Sequence, residues 1–247
     1  PDAGQIRHWF TDNRHRLTGH GVYFQGGEAN TQPAEEFAGS RLKILVARLS
    51  PYHSVASSLT HGLLGALARE IPGVFVDYAF LPPGKDLPLF QEAGIPLWTG
   101  VTTKEPPRGF DLIAISNSVS FELLNLPLLL NHSGLALSHR ARVSDPSHPL
   151  VLLGGSNSFN TALLHGAWGN NETGLVDCVA VGEGEELWPE FLRRMLTAGP
   201  AQARADQDAF LDSLLDLAGV YLPHRYEHRY EGGRLVAIVP VSPPAPA

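Results

Sequence analysis

Four short stretches carry the side chains and the bare backbone with which this sequence could do chemistry. They are Ser50 with Tyr52 and His53, Ser116-Asn117-Ser118, Gly154-Gly155-Ser156-Asn157, and Gly182-Glu183-Gly184-Glu185. Each follows an apolar run. Glycine lets the chain turn sharply and approach a ligand closely. Small side chains and unpaired backbone N–H groups suit a flat or phosphate-bearing ligand. One such corner is no site, because any α/β sheet needs Gly and Ser to turn from strand to helix; four on one edge would form a ligand rim. Glu183 and Glu185 could pair as general acid and base, or could sit at a helix N-terminus, where carboxylates are favourable without catalysis. His53 stands where an axial metal ligand could sit, and it also reads as a surface histidine opening a helix. No GxGxxG, GxxxxGK or GxSxG pattern is present, so the common dinucleotide, triphosphate and nucleophile-elbow signatures are missing.

The corners require strands before them. Largely apolar runs at Lys43–Leu49, Val74–Leu81, Asp111–Ile115, Leu150–Leu153 and Val176–Val181 read as buried parallel strands. Between them lie helical patterns: Ser54 to Glu70 with Val55, Leu59, Leu63 and Leu67 on one face, Leu87–Ala93, and Phe121–Leu130 interrupted by Pro127. Ser138–His148 reads as an exposed polar loop. Helices follow from Glu185 to Thr197 and from Asp206 to Ala218. Val220–Leu222 and Leu235–Val239 read as a hairpin turning at Glu231-Gly232-Gly233. Strand–helix alternation predicts a doubly wound, five-stranded parallel α/β sheet of Rossmann-like order 2-1-3-4-5. Ligands of such sheets sit outside the carboxyl ends of the strands, where all four corners fall. The expected organisation is an N-terminal extension over 1–40, the α/β domain over 41–200, a helix and hairpin over 201–241, and a Pro-rich tail over 242–247.

Composition narrows the partners. The net charge of −7 favours neither a nucleic-acid backbone nor an anionic membrane. No apolar run approaches the ~20 residues that span a bilayer. The single cysteine, Cys178, excludes an internal disulfide and a cysteine-rich metal site, and fits a reducing cytoplasm. His8, His15 and His20 form no helix-face metal pair such as HExxH and read as solvated surface, and no structural zinc is expected. The chain begins with Pro1, which suggests a processed or excised piece.

The corners and their order resemble the cobalamin-binding-like N-terminal domain of an uncharacterised branch of radical SAM proteins. The matching segments are Gly26-Gly27-Glu28 with Asn30, Leu45 to Tyr52, Phe110 to Ser118, the Gly154-Gly155-Ser156 corner, Asp177 in the fifth strand, Gly182 to Glu186, and Val220 to Pro223. The resemblance implies a domain that holds cobalamin, or a substrate, against a radical SAM barrel that is downstream or separate. It implies methyl transfer or another radical reaction for the full enzyme. Two departures stand out. The DxHxxG cobalt-ligating motif is absent, the first corner reading Ser50-Pro51-Tyr52-His53-Ser54-Val55. CxxxCxxC is absent too, so this chain cannot hold a [4Fe–4S] cluster. Two rival readings remain: a docking module whose cofactor site has decayed, and a small independent hydrolase using Glu183 or Glu185.

Overall fold

The structure, a computed structural model, describes residues 1–25, 32–158 and 174–241. The expected turn at Gly26-Gly27-Glu28 with Asn30 and the Pro-rich end over 242–247 lie outside these residues. Strands β1 (Leu42–Arg48), β2 (Val74–Ala79), β3 (Leu112–Ser116), β4 (Leu150–Gly154) and β5 (Cys178–Ala180) pair in parallel. A sixth strand, β6 (Val220–Tyr221), adds antiparallel to β5, giving the order 2-1-3-4-5-6. The sheet is therefore mixed, not purely parallel. Val220–Leu222 was expected in the hairpin; instead β7 (Tyr226–Glu231) pairs with β8 (Arg234–Pro240). β6 covers the backbone edge that a strand as short as β5 would otherwise expose.

Helices α1 (Ala3–Asp12) and α2 (His20–Gln25) precede the sheet, and Ile6, Phe10 and Val22 pack into the same hydrophobic core as β1 and β2. Lys104 fastens them: its Nζ donates to the carbonyls of Tyr23 at 2.6 Å and Val101 at 2.5 Å, and lies 4.7 Å over the Phe10 ring.

The expected single helix over Ser54 to Glu70 is two, α3 (Tyr52–Val55) and α4 (Thr60–Arg69). The face of α4 also differs from its leucine pattern. His61, Gly65 and Ala68 are buried toward the sheet, whereas Leu59 and Leu63 are 85% and 42% exposed. The reason is close approach: a Cβ on Gly65 would lie 1.8 Å from the Tyr78 hydroxyl. The helix packs on its small residues and turns its leucines aside.

Helix α5 (Leu87–Ala93) follows β2 and ends at Gly94 with φ 63°. After β3, a 3-10 turn over Ser120–Asn125 leads into α6 (Leu126–His132), so Pro127 lies in the first turn of a helix rather than breaking one. The expected exposed loop over Ser138–His148 instead contains α7 (His139–Val143), with Arg142, His139 and His148 buried. Helices α8 (Gly184–Ala198), α9 (Pro200–Ala205) and α10 (Gln207–Asp212) follow β5. Asp206 accepts from the Ala209 N–H and caps α10, which ends well short of Ala218. Among the described residues, no helix is long and apolar enough to cross a membrane.

Candidate functional site

The four corners fall at the carboxyl ends of β1, β3, β4 and β5, but they do not line one continuous site. Over β3 to β5 a cavity of about 350 Å³ opens between α4 and α8. Its floor is Ala114, Ser116, Leu152, Gly154 and Ala180; its mouth is Gly155, Ser156 and Gly182 to Glu185. The walls are the leucines that α4 turns away from the sheet, facing Leu187 and Trp188 of α8. Trp188 ties the two helices together, its Nε1 donating to the Leu64 carbonyl at 2.9 Å.

The glycines at this mouth have different jobs. Gly155 has φ 105°, and a Cβ there would lie 2.2 Å from the Asn117 carbonyl oxygen. It is glycine for the corner's own sake. Gly182, with φ 110°, faces open space, and a Cβ on Gly154 would make ordinary contact with Ala180 at 3.7 Å. These two leave the cavity unobstructed. Glu183 is the N-cap residue of α8 but makes no side-chain cap hydrogen bond. Glu183 and Glu185 are exposed at the cavity mouth, where no apolar wall encloses them.

The crevice between β1 and β3 is closed. Ser50 donates to Glu122 at 2.6 Å, and Asn125 Nδ2 donates to the Leu49 carbonyl at 3.0 Å, folding the Ser120–Asn125 turn over the end of β1. Asn157 joins this clasp, donating to the Ser118 carbonyl and accepting from the Ser120 hydroxyl. Beneath it lies Arg48, 1% exposed, donating to Ser116 Oγ at 2.9 Å and Ser118 Oγ at 3.2 Å. Burial lowers its pKa, with Glu122 opposing. His61 is pulled down to about 4 by burial and then by the Arg48 charge. Arg48 Nε, His61 Nδ1, Glu122 Oε2 and both amide atoms of Asn117 are buried without a hydrogen-bond partner. Buried polar atoms are rarely left so, and here they gather at the end of β1 and β3. Arg48 and His61 had no signal in the sequence; each sits inside an apolar run.

Tyr52 and His53 lie elsewhere. They line a second cavity of about 270 Å³, with Phe80 and Leu97 of the sheet domain and with Phe10, Val22 and Tyr23 of the N-terminal helices. His53 is exposed and is not among the residues lining the first cavity. Cys178 is buried in β5, and burial pushes its thiol pKa up, as for a small hydrophobe.

The sequence model of the family described as radical SAM proteins, N-terminal, matches residues 62–223. The chain belongs to this family. The match takes in the cavity walls from Leu63 onward, three of the four corners, and the step from α10 to β6. No curated protein matches the chain.

Proposed function

We propose that this radical SAM N-terminal domain holds a cofactor of the cobalamin class at the carboxyl ends of β3 to β5 and presents it to a radical SAM barrel, downstream or separate. One observation carries the reading: Leu59 and Leu63, exposed at the start of α4, wall a cavity together with the half-buried Leu64 and Leu67, and its mouth is ringed by glycines. A helix normally buries its apolar stripe; this one keeps part of it for a ligand. The size suits the nucleotide tail of such a cofactor, since small-ligand cavities begin at about 300 Å³; the flat macrocycle would lie outside, over Gly182 and Ser156. When bound, the cobalt would supply methyl-transfer or radical chemistry to the barrel. His53 lines the other cavity, so cobalt would take no histidine from it.

Hydroxocobalamin titration, followed by its visible spectrum, tests this. Leu63→Asp and Gly154→Leu both alter the cavity, at a half-exposed wall residue and at a glycine where a Cβ meets only ordinary contacts, and far-UV circular dichroism checks that each variant folds. Binding by the parent chain, lost in both variants and kept in His53→Ala, is expected. Negligible binding by the parent would leave the docking-module reading. That reading has its own support: Val119, Phe121 and Leu124, beside the same strand ends, are 51%, 82% and 68% exposed.

A further inference from the structure

At the opposite end of the sheet, three side chains far apart in sequence converge. His139 lies in α7, Asp208 in α10 and His224 in the 3-10 turn Pro223–Arg225. One ligand atom from each lies within 4.8 Å of the others, and this is the group of metal-ligating type among the described residues. We propose that His139, Asp208 and His224 bind a divalent transition-metal ion of the zinc class, which clamps the exit toward the hairpin against β5.

The distances fit. His139 Nε2 lies 3.1 Å and His224 Nε2 3.7 Å from Asp208 Oδ1. Ligand atoms on a tetrahedral zinc, with bonds of about 2.0–2.1 Å, stand about 3.3 Å apart. The outer support is built as well. His139 Nδ1 pairs with Asp177 Oδ1 at 2.8 Å, an arrangement that fixes a histidine's ring, and its Nε2 now hydrogen-bonds Asp208 Oδ1, so the ion would take the place of the proton between them. Asp177 is wholly buried and is itself held by Arg142 and by the Val151 N–H at 2.7 Å. The second observation is His224. Both its ring nitrogens are buried and neither has a hydrogen-bond partner. An imidazole desolvated without a partner is destabilising, and coordination removes that cost. Asp208 is half exposed, which gives the ion a way in and a solvent-facing fourth position.

The two imidazoles are stacked, with centroids 4.2 Å apart and planes 13° from parallel. Parallel rings cannot both point Nε2 at one ion, so binding turns one of them. His139 is fixed by Asp177; His224 is held by no hydrogen bond and is the ring that moves.

The test uses the whole chain after metal removal with EDTA. Titration with Co²⁺ should give one ion per chain, with a visible absorption of four-coordinate intensity that Zn²⁺ abolishes. Asp208→Ala and His224→Gln should each weaken binding by at least about tenfold, with folding checked by far-UV circular dichroism. Asp208 is half exposed, so its variant keeps the fold and decides the matter even if the other does not. His8→Ala serves as control, because His8 and Asp12 form an exposed pair at 3.2 Å. A parent chain that binds no stoichiometric Co²⁺, a folded Asp208→Ala that binds as tightly as the parent, or a loss confined to His8→Ala each overturns the proposal.

Discussion

Two adjacent glycines separate backbone need from ligand room. Gly155→Ala would adopt a positive φ with its Cβ 2.2 Å from the Asn117 oxygen, so it should destabilise the chain by more than about 2 kcal/mol. Gly154→Ala meets only Ala180 at 3.7 Å and should stay within about 1 kcal/mol. Urea unfolding of the pair checks this; equal losses would show that the corner is not held as described. A larger effect is expected at Arg142. Its guanidinium is fully buried against Asp177, and together with His139 it keeps that carboxyl well below the usual carboxylate range despite its burial. Arg142→Met strands a buried carboxylate and should cost about 3–5 kcal/mol, read as a fall in the urea midpoint. The sequence pattern hid this group. Ser138–His148 is mostly polar, and hydropathy cannot tell a polar segment that pairs inward from one that faces water. Asp177 was visible as an acid in an apolar strand, but its partners lie 35 and 38 positions away.

At the level of elements, the strands were legible because buried parallel strands read as largely apolar runs. The order of the five parallel strands followed from their alternation with helices. β6 was not legible: two residues, Val220 and Tyr221, carry too little pattern to choose between the hairpin and the sheet edge. The α4 leucines were legible as a stripe but not as a wall. Which face of a helix meets a sheet is decided by fit, here by Gly65 against Tyr78. The N-terminal helices offer a further test. Burial, partly offset by the Asp77 charge, lowers the Lys104 pKa from 10.5 to about 8. The folded amine thus loses its proton first. Below pH 8 the penalty for burying the charge is present in full. Between about pH 8 and 10.5 the unfolded chain holds a proton that the folded chain has released, so stability rises with pH. The gain approaches about 3 kcal/mol for such a shift. Buried tyrosines titrate oppositely at the alkaline end, so the comparison is with Lys104→Met. The parent should gain stability relative to this variant from pH 8 to pH 10 in urea unfolding. A constant difference would mean that the lysine stays charged in the fold.

Considered whole, the two ends of the sheet differ in the apolar side chains they expose. The amino end carries the ion pairs of Arg142, Asp177 and His139, which are closed within the fold. The carboxyl end carries exposed apolar side chains from three separate strand exits: Leu59 and Leu63 after β1, Val119, Phe121 and Leu124 after β3, and Val181 after β5. Scattered surface leucines need no explanation, but several large exposed apolar side chains at one end of the sheet suit an interaction face. Under the reading proposed above, the partner at that face is a radical SAM barrel. Phe121→Ser combined with Leu124→Ser removes the two most exposed side chains of the β3 exit. Neither is packed, so the melting temperature should move by no more than about 2 °C. Association with a barrel supplied as a separate chain should fall at least tenfold, since apolar anchors at the centre of an interface are worth about 1–2 kcal/mol or more each. Calorimetric titration of parent and variant against that barrel measures the ratio. Hydroxocobalamin binding measured on the same variant separates the roles. If cobalamin binding survives while barrel binding falls, the β3 exit docks the partner and the cavity holds the ligand. If the variant binds the barrel as tightly as the parent does, this end of the sheet is not the docking face.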